Sequence, residues 1–439
     1  STIEATRNTE GKHFQFESSI EMTNNEKRNE DEFTFPEWLN ETFFRKVLKN
    51  VETEGAEVTN LELKPGTLKN DNYASVLFRA KVTYTLQSQP TQEKVSSFIL
   101  KVQPFMEGNK KELMQNYSLF DTEITMYTKV LPMIEKVLRQ YGDNTILGPK
   151  LIACSTTAPS YVIFEDLALK GYTTIGYRHP NLEETKFALL KLAKLHAISY
   201  KLCKEEKDNI ITTLDKGSMN SADPYAFPFV KYGIGFLKEI LSEHDDLKQY
   251  VPHIAAVEHL LCERTIDMFN EAGSGKRDGL YVLNHGDFHL KNMMIKKNED
   301  KLTDVMLLDY QISIFGSPAI DLHYAFTMMF SPEMRRNHFD ELLYFYITNF
   351  QDTLRNTEYK GHIPTHIEIR QELAKHRHWA LFLLLCFLLF NYALVDENKD
   401  IAGLVENAEV IRKELEDPNL LNELRELLPR FLYNGYFEV

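Results

Sequence analysis

Residues 282–292 read Val-Leu-Asn-His-Gly-Asp-Phe-His-Leu-Lys-Asn and set His285, Asp287 and Asn292 in an H-x-D-x-x-x-x-N spacing. Two apolar runs follow, Met293-Met294-Ile295 and Val305-Met306-Leu307-Leu308, and the second ends on Asp309-Tyr310-Gln311. The polar turn Asn298-Glu299-Asp300 between them predicts a hairpin, which would bring Asp309 back beside Asn292. Phosphoryl transfer calls for such a set. It needs one carboxylate to orient an attacking hydroxyl and take its proton, and oxygen ligands for Mg²⁺ bridging the phosphates of ATP. Taken singly, Asp287 and Asn292 are the turn and cap formers found in any loop. The set with its hairpin spacing carries the phosphoryl-transfer reading.

That chemistry also needs a cation on the phosphates. Lys101 lies inside the apolar run SSFILKV, where a buried ammonium requires an anionic partner. Glu123, in the helix-like FDTEITMY, is the candidate, because a Lys–Glu pair holds the lysine on the phosphates in kinase chemistry. The turn 64–75 could cover phosphates through amides around Asn70 to Ala74, Asn72 among them, and through the Ser75 hydroxyl. It holds one glycine and matches neither a Walker A nor a G-x-G-x-x-G loop. Glu165-Asp166-Leu167 follows the run YVIF, and a nucleotide base could rest against main-chain groups there. His196 reads as a hydrogen-bonded core histidine. His289 and Lys291 receive no catalytic role, and Asp321 is expected to brace the catalytic loop rather than cap a helix.

The elements that position these residues follow from periodicity. Residues 1–33 are polar and charge-rich, too poor in apolar surface to offset their ordering entropy, and are expected to be a flexible extension. An amphipathic helix is predicted from Phe35. Strands are predicted over Val58–Lys64, Tyr73–Leu86, Ser96–Val102, Leu151–Ala153 and Tyr161–Phe164. A helix over 116–131 should end at Pro132, where a new segment starts. Asn181 with Glu184 three residues on forms a capping box before a long helical run. Nearly everything later reads as helix apart from the hairpin. The chain is thus α+β, with a β-rich nucleotide-binding lobe over 34–165 and a larger, mainly helical lobe over 166–439.

Composition narrows the class. The 439 residues carry 50 basic and 64 acidic side chains, a formal charge of −14, which repels a nucleic-acid backbone. The four cysteines are scattered, suggesting neither zinc nor a disulfide framework, and a cytoplasmic protein with reduced thiols is expected. Residues 379–395 are free of charge but at the lower limit of spanning length, and a buried helix is preferred to a membrane span. No obligate protein partner is evident.

The ordered segments FPEWLN (35–40), KPGTLKNDNYASVLFRAKVTY (64–84), FILKVQP (98–104), EITMY (123–127), VIFEDL (162–167), LNHGDFHLKNMM (283–294) and LLDYQISIFGSPAIDLHY (307–324) resemble the ecdysteroid kinase-like family. That family is related to choline kinases and aminoglycoside phosphotransferases within the protein-kinase-like fold. The resemblance implies a bilobal fold, use of ATP and Mg²⁺, and phosphorylation of a hydroxyl on an ecdysteroid or other lipophilic molecule. On matching positions it implies Asp287 as base, Asn292 and Asp309 as metal ligands, Lys101 with Glu123 as the nucleotide-lobe ion pair, and Glu165–Leu167 as hinge. Two alternatives stand beside it: a choline- or aminoglycoside-type kinase, which the acidic balance suits, and a catalytically silent carrier on a kinase fold.

Overall fold

The run Val76–Leu86 alternates buried with less buried residues along its whole length, the pattern of a strand with one face in a core. The computed structural model describes residues 34–66, 76–103, 119–206, 208–219, 224, 227–274 and 279–439. In it, β1 (Ala56–Pro65), β2 (Val76–Leu86), β3 (Gln89–Val102), β4 (Leu151–Ser155) and β5 (Tyr161–Glu165) form one antiparallel sheet, ordered β1-β2-β3-β5-β4. Helix α1 (Glu41–Leu48) covers one face and buries Phe44 completely among Phe78, Phe98 and Leu100. Full burial of such a ring stabilises by about 1.5–3 kcal/mol. The helix starts six residues later than predicted, because Asn40 accepts from Phe43 N and caps it there.

Alternation in β3 turns Leu100 and Val102 under α1 and leaves Lys101, paired with Leu77 and Val162, for the opposite face. Helix α2 (Leu119–Thr125) lies on that side and carries Glu123. The new segment expected at Pro132 is present, with the proline in its first turn, but no gap precedes it. The chain passes through a π turn (Met126–Val130) directly into α3 (Leu131–Gln140). The wider turn takes up a proline that cannot donate to the carbonyl four residues back.

Beyond Glu165 the chain is largely helical. Helix α4 (Leu182–Glu205) begins at the capping box of Asn181 and Glu184 and packs along α8 (Phe339–Asn356). Between them in sequence lie α5 (Gly233–Ser242), α6 (Val251–Asn270) and α7 (Ala319–Met328). The hairpin is present as β8 (Met293–Asn298) and β9 (Lys301–Leu307), closed by Glu299 and Asp300 at positive φ, as a two-residue hairpin turn requires. It is larger than expected, since β6 (Tyr172–Thr174) adds a third strand. A separate pair, β7 (Val282–Asn284) with β10 (Ile314–Gly316), frames the catalytic-loop sequence. Such three-residue strands are too short to show a period.

The uncharged stretch 379–395 is not one helix. It lies in α9 (Arg377–Cys386) and α10 (Leu388–Ala393), broken at Phe387, with Asn391 fully buried against His179 and Arg335. Among the described residues, no helix is long and apolar enough to cross a membrane.

Candidate active site

The loop after β7 is held from below by one side chain. Asp321, in the first turn of α7 and without solvent exposure, accepts from His285 N (2.6 Å) and His196 Nε2 (3.0 Å) on Oδ2 and from Gly286 N (2.9 Å) on Oδ1. His196 in turn faces the Tyr346 hydroxyl through Nδ1 at 2.7 Å. Gly286 has φ +86°, and a Cβ there would fall 2.1 Å from the Ile312 carbonyl oxygen, so the turn admits no side chain. His285 Nδ1 accepts from Asp287 N at 3.4 Å while Nε2 donates to Leu308 O at 2.9 Å. One imidazole thereby ties the loop to the end of the hairpin, and its burial favours the neutral ring.

Above this support sits Asp287. Asn292 Nδ2 donates to its carbonyl and to its Oδ2, both at 3.0 Å. The Tyr324 hydroxyl donates to its Oδ1 at 2.8 Å. His289 turns Nε2 towards Oδ2 at 3.5 Å, and its Nδ1 accepts from Lys291 N at 3.1 Å, which fixes the proton on the nitrogen facing the carboxylate. Burial alone would raise the Asp287 carboxyl. His289 and the Tyr324 hydroxyl outweigh it and hold the group well below the usual carboxylate range, ionised at neutral pH.

The hairpin completes the cluster. Leu308 N donates to Asn292 O at 2.9 Å, one rung beyond the Met293–Leu307 pair, so Asn292 and Asp309 flank the same end of the ladder. Asp309 has φ +62°, a left-handed conformation uncommon outside glycine, asparagine and aspartate. Its Oδ1 lies 2.7 Å from Lys101 Nζ, and its Oδ2 accepts from Gln311 Nε2 at 3.3 Å. Lys101 Nζ is also 2.8 Å from Glu123 Oε2. Burial would lower the lysine; two carboxylates reverse that and raise it, so it stays charged. Burial pushes the Glu123 carboxyl up to about 7, against the pull of Lys101 and with the help of Asp309. One ammonium between two carboxylates leaves a surplus negative charge, and the deeper carboxylate takes the larger share of the cost.

These placements bring β3, α2, the loop 285–292 and the hairpin end together. Asn292 Nδ2 is committed to Asp287, which leaves its carbonyl Oδ1 to serve as a ligand. With the Asp309 carboxylate it makes a hard, all-oxygen donor pair of the kind Mg²⁺ takes. Glu165 ends β5 and pairs with Lys170 at 2.5 Å, while Leu167 is buried beside Tyr172 and Met306. The Asp166 side chain is occupied by Arg79, Ser97 and the amide of Ala168, so only main-chain groups of this crossover remain for a ligand. Asn72 and Ser75 lie outside the described residues.

Sequence reasoning gave no role to Tyr324, although the signal was present. It stands three residues after Asp321 on one helix, so both side chains face the same loop. Lys291 turns away from the cluster, with Nζ 3.1 Å from Gly176 O and over the Tyr177 ring.

Comparison with solved structures gives a Plasmodium vivax ethanolamine kinase at 14% identity, covering 85% of this chain and 83% of that one, with a TM-score of 0.35. The ADP-bound aminoglycoside phosphotransferase APH(2'')-Ib shares 14% identity over 86% of this chain and 97% of its own, with a TM-score of 0.32. A Ralstonia eutropha JMP134 protein, provisionally an aminoglycoside phosphotransferase, shares 11% identity over 84% and 93%, with a TM-score of 0.39. No curated protein sequence matches. The ecdysteroid kinase-like family model matches residues 69–359, well over half of the chain. The protein therefore belongs to the ecdysteroid kinase-like family and is a kinase of the small-molecule type.

Proposed function

We propose that this protein transfers the γ-phosphoryl group of ATP to a hydroxyl of an ecdysteroid or similarly lipophilic small molecule, with Asp287 as catalytic base. The observation that carries the reading is the convergence of Lys101, Glu123 and Asp309 in one ion cluster beside an ionised Asp287 bonded to Asn292. Lys101, fixed by Glu123, holds the α- and β-phosphates. Asn292 Oδ1 and the Asp309 carboxylate hold Mg²⁺, which when bound neutralises phosphate charge. The adenine rests against the main chain of Glu165–Leu167. Asp287 accepts a hydrogen bond from the acceptor hydroxyl, aligns its oxygen with the γ-phosphorus and takes its proton as the new P–O bond forms and the bond to ADP breaks.

The lipophilic acceptor is supported by the surroundings of Asp287. The ring of Tyr324, bonded to that carboxylate, lies parallel to Trp379 with centroids 6.4 Å apart, and Phe387 stands 6.1 Å away at a steep angle. Phe229 and Phe390 extend this cluster.

The test is incubation with Mg-ATP and a panel of ecdysteroids, other sterols, choline and aminoglycosides, reading phosphate addition by mass. Asp287→Asn serves as control. An ecdysteroid or sterol product made only by the intact protein is expected. A choline or aminoglycoside product would replace the acceptor class, and normal turnover by Asp287→Asn would overturn the base assignment.

A further inference from the structure

A carboxylate offers about four lone-pair positions, two on each oxygen. On Asp287, Oδ2 accepts from Asn292 Nδ2 at 3.0 Å and has His289 Nε2 beside it at 3.5 Å. Oδ1 accepts from the Tyr324 hydroxyl at 2.8 Å. The described donors thus crowd Oδ2 from two sides and take one position on Oδ1, which leaves one Oδ1 lone pair for a substrate. The direction of that last lone pair depends on where Tyr324 holds the carboxylate plane.

Tyr324 is itself held firmly. It is buried on α7, the helix that carries the loop brace Asp321, and its ring lies at 10° to Trp379, whose Nε1 donates to Ile320 O at 3.1 Å. Nothing in this frame needs the hydroxyl for packing. A phenylalanine would keep the ring contacts and lose only the bond to Asp287.

We propose that Tyr324 is a positioning residue of the transfer reaction: its hydroxyl orients Asp287 so that the remaining Oδ1 lone pair meets the acceptor hydroxyl. This rests on the reading of Asp287 as base. A tyrosine in this place acts on the step that uses the base and not on nucleotide binding, because Lys101, Glu123 and Asp309 lie on other elements and touch neither its ring nor its hydroxyl.

The experiment compares wild type, Tyr324→Phe and Asp287→Asn. It measures kcat and the KM for ATP from ADP formation with Mg-ATP, water and ecdysone as parallel acceptors, together with the melting temperature. Tyr324→Phe is expected to lower kcat about tenfold, with the KM for ATP within twofold of wild type and the melting temperature within a degree or two. A kcat within twofold of wild type would overturn the proposal. So would a loss of kcat accompanied by a weaker KM for ATP and a lower melting temperature, which marks a merely structural role. Near-normal turnover by Asp287→Asn, by contrast, removes the base reading itself and is seen separately in the control.

Discussion

Replacing Asp321 by alanine tests the account of the catalytic loop most directly. The wild-type carboxylate is the acceptor for three buried donors: His285 N, Gly286 N and His196 Nε2, at 2.6, 2.9 and 3.0 Å. Its side chain has no solvent exposure, so water does not replace it without rearrangement. Leaving a buried donor unsatisfied costs about 1–3 kcal/mol. Taking the lower half of that range for each, to allow for relaxation, gives a loss of about 3–6 kcal/mol, a large share of the stability of an ordinary domain. The measurement is urea unfolding of wild type and variant, followed by far-ultraviolet circular dichroism. Asp321→Asn is the control, since its amide keeps one accepting oxygen and should cost clearly less. The loop, freed at His285 and Gly286, should also lose its alignment of Asp287, so phosphate transfer should fall by at least a hundredfold under conditions where the variant is folded. A stability loss under about 1 kcal/mol would refute the reasoning, because it would mean that the two amides find other acceptors at little cost.

Three further outcomes follow from the same geometry. Asp309→Ala is expected to weaken ATP binding at least tenfold in the presence of Mg²⁺ and to leave it nearly unchanged in EDTA, read by calorimetry; equal loss in both would remove the ligand role. Arg335 is fully buried, bonds Glu423 through two nitrogens and donates to the carbonyls of Phe326, Thr327 and Phe330, so Arg335→Ala should cost about 3–5 kcal/mol in urea unfolding. Burial raises Glu123 from 4.5 to about 7, so its contribution to stability is full below about pH 4.5 and is lost as pH rises through about 7. Nucleotide-free wild type should therefore lose stability relative to Glu123→Gln between pH 5 and 8, and a difference of the opposite sign would contradict the assignment.

Local chemistry made much of this legible in the sequence. The capping box of Asn181 and Glu184, the hairpin after Asn292 and the ion partner of Lys101 are read from short-range pattern or from the cost of a lone buried charge, and the structure contains all three. What escaped depends on distant partners. The burial of Asn391 is set by Arg335 and His179, more than 50 residues away. The path through Pro132 relies on a π turn that leaves no mark in composition. Strands β6, β7 and β10 are three residues each, shorter than any periodicity can register. Tyr324 was visible as a neighbour of Asp321, but its bond to Asp287 spans 37 residues and becomes apparent only when the loop is folded over α7.

The short helix α7 has a practical meaning for anyone wishing to redirect this kinase to another small molecule. The brace of the loop and the hydroxyl on Asp287 come from one rigid piece, and that piece is pinned to the aromatic cluster by Trp379. Under the proposed function, a library that randomises 321, 324 or 379 should mostly return inactive clones, because it removes the support of Asp287. Phe387 is different: it is only partly buried, meets Tyr324 from the side and makes no bond to the loop. Under the proposed function, diversity introduced at Phe387 and outward from it, with those three positions held constant, should sample new acceptors while leaving the support of Asp287 in place.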